Sequence, residues 1–287
     1  MYILIPVLIS LLLPTSAPNV EASILFSQTL YGCNGGFGSL PASDLYTIDP
    51  TTGSATLIGS MVNIVGCSGL RFQPSTGVLF AVGLDVLTGI VSLFTVDVQT
   101  GLATMIGHSS NICPGGGNHR IADIAFRSDG VLFGSLTASG VTNTCLGTLS
   151  TTTGAVTFIG QTGDGSEGNG LAFDSHDTLW LATSGHLDTL NQATAAATFV
   201  APIVDCGPMN ALAFDVSNTL YASLNCGSGG FGPTYLAKID TVTGAVHTIG
   251  FTVDGLDGIA FSPPQRVPIE HYRDAPRSIF VDTRESS

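Results

Sequence analysis

From about residue 27 to residue 262, apolar and polar positions alternate with a period of two. The runs are short, rich in Val, Ile, Thr, Phe and Tyr, and broken by turns that carry Gly, Asp or Asn. A period of two fits half-buried strands, and it excludes helical repeats. One segment type reads LYTIDPTTGSATLIG from Leu45 and recurs from Leu93, Leu146, Leu187 and Leu236. A second type reads Leu-x-Phe, a turn, then Leu-aromatic, at Leu70–Phe80, Ile124–Phe133, Leu171–Trp180 and Leu212–Tyr221. Each type is two strands joined by a tight turn, so one unit is a four-stranded antiparallel meander with strands A to D. Starts 41 to 53 residues apart match the blade length of a propeller.

The two ends complement each other. The first unit begins at strand B, with Thr29-Leu30-Tyr31, and lacks a strand A. The last recognisable strand, Leu256–Phe261, is an A with no B after it. The expected fold is therefore all-β: a five-bladed propeller closed by pairing the C-terminal strand A with the N-terminal strands B-C-D. Closure removes both sheet edges. Asp49, Asp97, Ser150, Asn191 and Asp240 recur after strand C, and turn capping accounts for them better than cation binding does.

Composition bounds the rest. Hydrophobic residues make up 44% of 287, enough for one sizeable core. Lys and Arg total 8 against 21 Asp plus Glu, a formal charge of −13. So few cations exclude a phosphate-neutralising nucleic-acid surface and argue against docking on anionic lipid. Ile3–Leu13 is apolar but shorter than a membrane span, and Val20-Glu21-Ala22 fits a cleavage site, so residues 1–22 are expected to be a signal peptide. The propeller domain is expected at 23–263 and a disordered, charge-rich tail at 264–287, with the mature chain secreted, periplasmic or on the cell surface. Six cysteines with no Cys-x-x-Cys favour disulfides in an exported chain. Place in the hairpins suggests Cys206–Cys226, Cys113–Cys145 and Cys33–Cys67, one of 15 pairings six cysteines allow.

The segments GLAFDSHDTLWLA from Gly170 and LAKIDTVTGAVHTIG from Leu236 resemble secreted bacterial β-propeller repeats of the NHL and YVTN types. The resemblance implies the architecture and is nearly silent on activity, because this architecture hosts binders, scaffolds and enzymes alike. Phe261-Ser262-Pro263-Pro264 resembles the linker that precedes Pro-Glu-Pro sorting signals of exported bacterial proteins, although no such signal follows.

The D-to-A and B-to-C connections share one face, where the loops are long, irregular and Gly-rich, which is where a rigid scaffold carries recognition. Phe37 and Phe231, in the matched loops CNGGFG and CGSGGFG, are candidate apolar contacts for a protein, glycan or small-molecule ligand. His119 and Arg120, after three glycines, are candidate anion contacts. Ser68, Asp123, Asn169, Asn210 and Asp257 stand just before the Leu-x-Phe core of each strand A and suggest a polar ring at the channel mouth. Three Asn or Asp at one position suit Ca²⁺ or another divalent cation through oxygen ligands. Asn169-Gly170-Leu171-Ala172-Phe173 and Asp257-Gly258-Ile259-Ala260-Phe261 also resemble strands of the gluconolactonase (senescence-marker) propellers. That resemblance implies Asn169, Asn210 and Asp257 as metal ligands of a lactone hydrolase. Ser68 departs from the pattern, standing where the family has Glu.

Other chemistry is thin. Gly163–Gly168 has dinucleotide-type glycine spacing but precedes a strand rather than a helix. Lys238 is the only lysine, which excludes a P-loop, and neither His-Glu-x-x-His nor Gly-x-Ser-x-Gly occurs. The sequence thus points to a binding or scaffold module with no assigned catalytic residue, and to a metal-dependent lactonase-type hydrolase as the alternative.

Overall fold

The computed structural model describes residues 26–35, 42–110, 113, 117–140, 143–163, 168–183, 185–204, 207–227 and 232–266. Strand β1 (Phe26–Ser27) precedes β2 (Leu30–Asn34), β3 (Ser43–Ile48) and β4 (Ala55–Met61). The second blade is β5 (Ile64–Phe72), β6 (Leu79–Asp85), β7 (Val91–Val96) and β8 (Ala103–His108). The third is β9 (Gly117–Phe126), β10 (Leu132–Ser139), β11 (Cys145–Leu149) and β12 (Val156–Gln161). The fourth is β13 (Gly168–Phe173), β14 (Leu179–Thr183), β15 (His186–Leu190) and β16 (Ala197–Pro202). The fifth is β17 (Met209–Phe214), β18 (Leu220–Asn225), β19 (Thr234–Ile239) and β20 (Val246–Phe251). Strand β21 (Leu256–Phe261) returns to pair with β2, Leu30 opposite Phe261 and Cys33 opposite Gly258, and completes the first blade. Strand β22 (Gln265–Arg266) pairs with β1, so the charge-rich tail begins as a short strand rather than disordered chain. The expected signal peptide and residues 267–287 lie outside the described residues.

The inner strands β21, β5, β9, β13 and β17 contact one another in that cyclic order, so the five-bladed ring is closed. The apolar interior is not the single core that composition suggested. Five separate clusters lie at the five seams between blades, each built from the facing sides of two sheets. Sheets that bury both faces read as period-two strands whose apolar side chains pack across a seam.

The two repeat motifs are the two halves of these seams. The aromatic of each strand B meets the phenylalanine ending the next blade's strand A: Tyr31–Phe72, Phe80–Phe126, Phe133–Phe173, Trp180–Phe214 and Tyr221–Phe261. Centroids lie 5.0–6.3 Å apart in edge-on or tilted geometry, the arrangement that ring quadrupoles prefer. At the rim, each outer strand is bulged where its Ile-Gly (or Val200-Ala201) occurs. There it is approached by the backbone of the next blade's Thr-Gly turn: Gly59 by Thr100-Gly101, Gly107 by Thr153-Gly154, and Gly250 by Thr52-Gly53. In the fourth blade Ala195 stands in the turn opposite Gly160, and Ala201 in the outer strand opposite Gly244. Alanine is accepted on one side of this contact only where glycine occupies the other. Capping of these turns is as expected: Asp49, Asp97, Asn191 and Asp240 accept backbone N–H groups two residues on at 2.7–2.9 Å, and Ser150 accepts from Thr153.

Cys33–Cys67 bridges β2 to β5, with Cα atoms 6.1 Å apart, and Cys113–Cys145 ties the connection before β9 to β11, at 6.0 Å. Both match the expected pairings. Cys33, Cys67 and Cys145 lie buried within strands rather than in loops. Cys226 is also disulfide-bonded; Cys206 lies outside the described residues.

Candidate functional site at the channel axis

Each inner strand ends in a phenylalanine: Phe72, Phe126, Phe173, Phe214 or Phe261. One residue before it stand Arg71, Ala125, Ala172, Ala213 and Ala260. Three before it stand Gly69, Asp123, Gly170, Ala211 and Gly258. Small residues let the strands approach closely: a Cβ on Gly69, Gly170 or Gly258 would lie about 3 Å from the backbone of the next inner strand. Two charged residues of opposite sign break this pattern, and they meet at the axis.

Arg71 donates from Nε to the carbonyl of Ile124 (3.0 Å) and from a terminal nitrogen to the carbonyls of Leu171 (2.8 Å) and Leu212 (2.6 Å). Asp123, fully buried, accepts the N–H groups of those same three residues: Ile124 at 2.8 Å, Leu171 at 2.8 Å and Leu212 at 3.2 Å. The guanidinium and carboxylate lie 3.8 Å apart. One cation thus holds the carbonyls, and one anion the N–H groups, of the same three residues, one from each of three blades. Burial raises the Asp123 pKa to about 7, against the pull of Arg71 and the three N–H donors.

The expected ring lies one step further toward the loop face, and its register needs correcting. Ser68, Asn169, Asn210 and Asp257 occupy the position four before the phenylalanine, at β-bulges. Ala122 holds that place in the third blade; Asp123 is one residue deeper and is not a ring member. Ser68 Oγ donates to the Ile121 carbonyl (2.6 Å) and serves as a cap between strands. Asn169 has a left-handed backbone (φ 77°), and its Oδ1 accepts from Thr144 Oγ1 at 2.6 Å. Asn210 hydrogen-bonds Asp257. Two of the three expected metal ligands are therefore joined, and the third is held by its own partner.

Asp257 keeps some accessible surface at the mouth, yet its carboxyl is closely enclosed by protein, and Gly35 packs directly on it. This enclosure, with the Asp123 charge beneath, pushes its pKa up to about 8; Arg120 and Asn210 oppose the rise. Arg120 belongs to strand β9 rather than to a loop, and it is exposed. His119 is partly buried, with a buried Nδ1 lacking a hydrogen-bond partner. Phe37 and Phe231 lie outside the described residues. Among the described residues no three or more His, Cys, Asp or Glu side chains are grouped to hold a metal ion.

Arg71 belongs to no catalytic or binding motif. Its signal was present in the repeat, as an arginine in GLRF where three other inner strands end in Leu-Ala-Phe or Ile-Ala-Phe preceded by Gly or Ala.

No family model matches the chain, and no curated protein matches it. Solved structures resemble it at low identity. A Bacteroides fragilis protein named by inference as a 6-phosphogluconolactonase shares 10% identity over 85% of this chain and 99% of its own, with a TM-score of 0.45. A protein likewise named as a gluconolactonase shares 15% over 83% and 84%, at 0.47. The exo-β-1,3-galactanase of Clostridium thermocellum shares 14% over 63% and 47%, at 0.45. At this level of likeness none of them informs the chemistry of this chain.

Proposed function

We propose that the protein is an exported binding module that seats a small polar ligand at the loop-side mouth of its channel. The observation that carries this reading is the group of polar side chains at the loop-side ends of the inner strands, above the Arg71–Asp123 pair. Asn210 and Arg120 both act on the Asp257 carboxyl, on the loop side of the Arg71–Asp123 pair. Rigid inner strands hold these groups, as a recognition site requires. Buried disulfides support an oxidising compartment. No described helix is long and apolar enough to cross a membrane.

The test is a thermal-shift screen of small sugars, polyols and organic acids on the oxidised chain, repeated with Asp257→Ala and Arg120→Ala. Ligands that raise the melting temperature of the parent and not of either variant support the reading. A panel without a hit, or hits that both variants keep, overturns it. A second reading, a divalent-metal-dependent hydrolase using Asn169, Asn210 and Asp257, is favoured by the direct Asn210–Asp257 contact. Stoichiometric Ca²⁺ or another divalent ion in the purified chain, lost on Asp257→Ala, would establish it over simple binding.

A further inference from the structure

The first blade joins strands from the two ends of the repeat region: β2, β3 and β4 come first and β21 comes last. The closing strand β21 forms its ladder with β2, packs against β5 and β17, and contains no cysteine. The Cys33–Cys67 bridge lies where β2, β5 and β21 meet. Cys33 stands opposite Gly258 in the closing ladder. A Cβ on Gly258 would lie 2.7 Å from Cys33 Sγ and 3.1 Å from the backbone of Gly69 and Leu70 in β5. Glycine at 258 thus lets the closing strand lie directly against both the bridge and β5. Both cysteines are buried, in the cluster that holds Leu45, Leu70 and Ala260 of β21. Ser43 Oγ accepts the Cys67 N–H at 2.9 Å, a second tie between the first blade and β5. The far end of β21 is held by other means. Ser262 N–H donates to the Thr29 carbonyl (2.8 Å), its Oγ accepts from Thr29 N–H (2.9 Å), and its carbonyl accepts from Gln28 Nε2 (2.7 Å).

We propose that the Cys33–Cys67 disulfide and the closing strand lock one another, so that ring closure is gated by oxidation. The bridge fixes β2 to β5 across 34 residues of sequence and so preforms the cleft that receives β21. A cleft fixed beforehand spares the closing strand the entropy of ordering its neighbours. Seated β21 in turn covers the bridge, and exchange requires a reductant thiolate to reach a sulfur. Bridge formation passes two electrons from the two thiols to a disulfide oxidant. One cysteine thiolate attacks the oxidant's S–S bond and releases one oxidant thiolate. The other cysteine thiolate attacks the resulting mixed disulfide, forms the Cys33–Cys67 bond and releases the second. The two cysteine protons pass through solvent to the released thiolates. A dithiol reductant runs the same steps in reverse. Asp257 is carried on β21, so the polar mouth is completed only in the oxidised chain.

Hydrogen exchange read by mass spectrometry on the full chain tests the first half. In Cys33→Ala/Cys67→Ala, amides of β21 and β2 should exchange about tenfold faster than in the oxidised parent, while those of β13 to β16 keep the parent rate. An unchanged β21, or the same acceleration in every blade, overturns the proposal. The second half is read on a chain that keeps all its cysteines. Gln28→Ala/Ser262→Ala loosens β21 at the end remote from the bridge. Dithiothreitol under native conditions, followed by alkylation and peptide mapping, should then reduce Cys33–Cys67 about fivefold faster than in the parent. Cys113–Cys145, in another seam, should be reduced at the parent rate. Equal rates for Cys33–Cys67 in variant and parent, or acceleration of both bridges alike, overturns the proposal.

Discussion

Two residues, Arg71 and Asp123, set the interior of the ring apart from that of a purely apolar propeller. Each is the one charge at a position that is Gly or Ala in the other four inner strands. Together they bind the carbonyl and N–H groups of the same three residues. A buried pair of this kind is costly to break and cheap to replace whole, because removing one member strands the other charge. Arg71→Ala or Asp123→Gly alone should cost about 3–5 kcal/mol of unfolding free energy. The double variant restores the small-residue pattern of the other blades and should lose well under the sum. A double-mutant cycle by chemical denaturation measures this. Additive losses would mean that the two residues act independently.

At the scale of the strand, the repeat has a geometric explanation that residue frequencies alone do not supply. The Gly of each Thr-Gly turn adopts positive φ, from 71° to 79°, and also meets the bulged outer strand of the preceding blade. Glycine is needed twice there, for backbone conformation and for proximity. Gly101→Ala places a Cβ 2.7 Å from the Gly59 carbonyl oxygen, where only backbone can yield. It should cost about 2 kcal/mol or more in a denaturant titration. Ala195 is the one non-glycine in this series and sits at φ 69°. Ala195→Gly should instead be stabilising, by about 0.5–1 kcal/mol, with Gly160 opposite leaving the contact itself unchanged. These pairs were visible in the sequence as two glycines per repeat. Nothing in the sequence said that the two belong to different blades, since that follows from the order of sheets around the ring.

For the molecule as a whole, the axial carboxyls couple stability to pH. Asp123 and Asp257 have native pKa values raised to about 7 and about 8, above the 3.8 of an unfolded carboxyl. Between roughly pH 4 and 8 the native state therefore binds more protons than the unfolded chain, and stability falls as pH rises through that window. Turn carboxylates such as Asp97 and Asp240 are shifted the other way, and their contribution is lost only as pH falls below the ordinary carboxylate range. Melting temperatures should decline from pH 5 to pH 8.5, and Asp257→Asn should flatten the upper part of the decline. A melting temperature that rises over this range in the parent chain would contradict the assignment.

The sequence by itself determined the blade count, the order of strands, the closure of the ring by a C-terminal strand A, and two of the disulfides. Period-two alternation and a repeated turn are local properties, and a missing strand at one end matched by a spare strand at the other leaves one way to close. It also singled out Asn210 and Asp257, because polar residues at the edge of an apolar repeat stand out without any coordinates, and Arg120, because it follows a run of three glycines. Only the tertiary structure decided how these residues meet. Asp123 reads as a fifth ring member until the inner strands are aligned on their phenylalanines, and one step along a strand moves a side chain from the mouth to the axis. Arg71 joins the carbonyls of Ile124, Leu171 and Leu212, residues 53, 100 and 141 positions away, and the proton on Asp257 is held by enclosure and by a charge from another blade. Such effects belong to distances across the ring, which a linear pattern of residues does not contain.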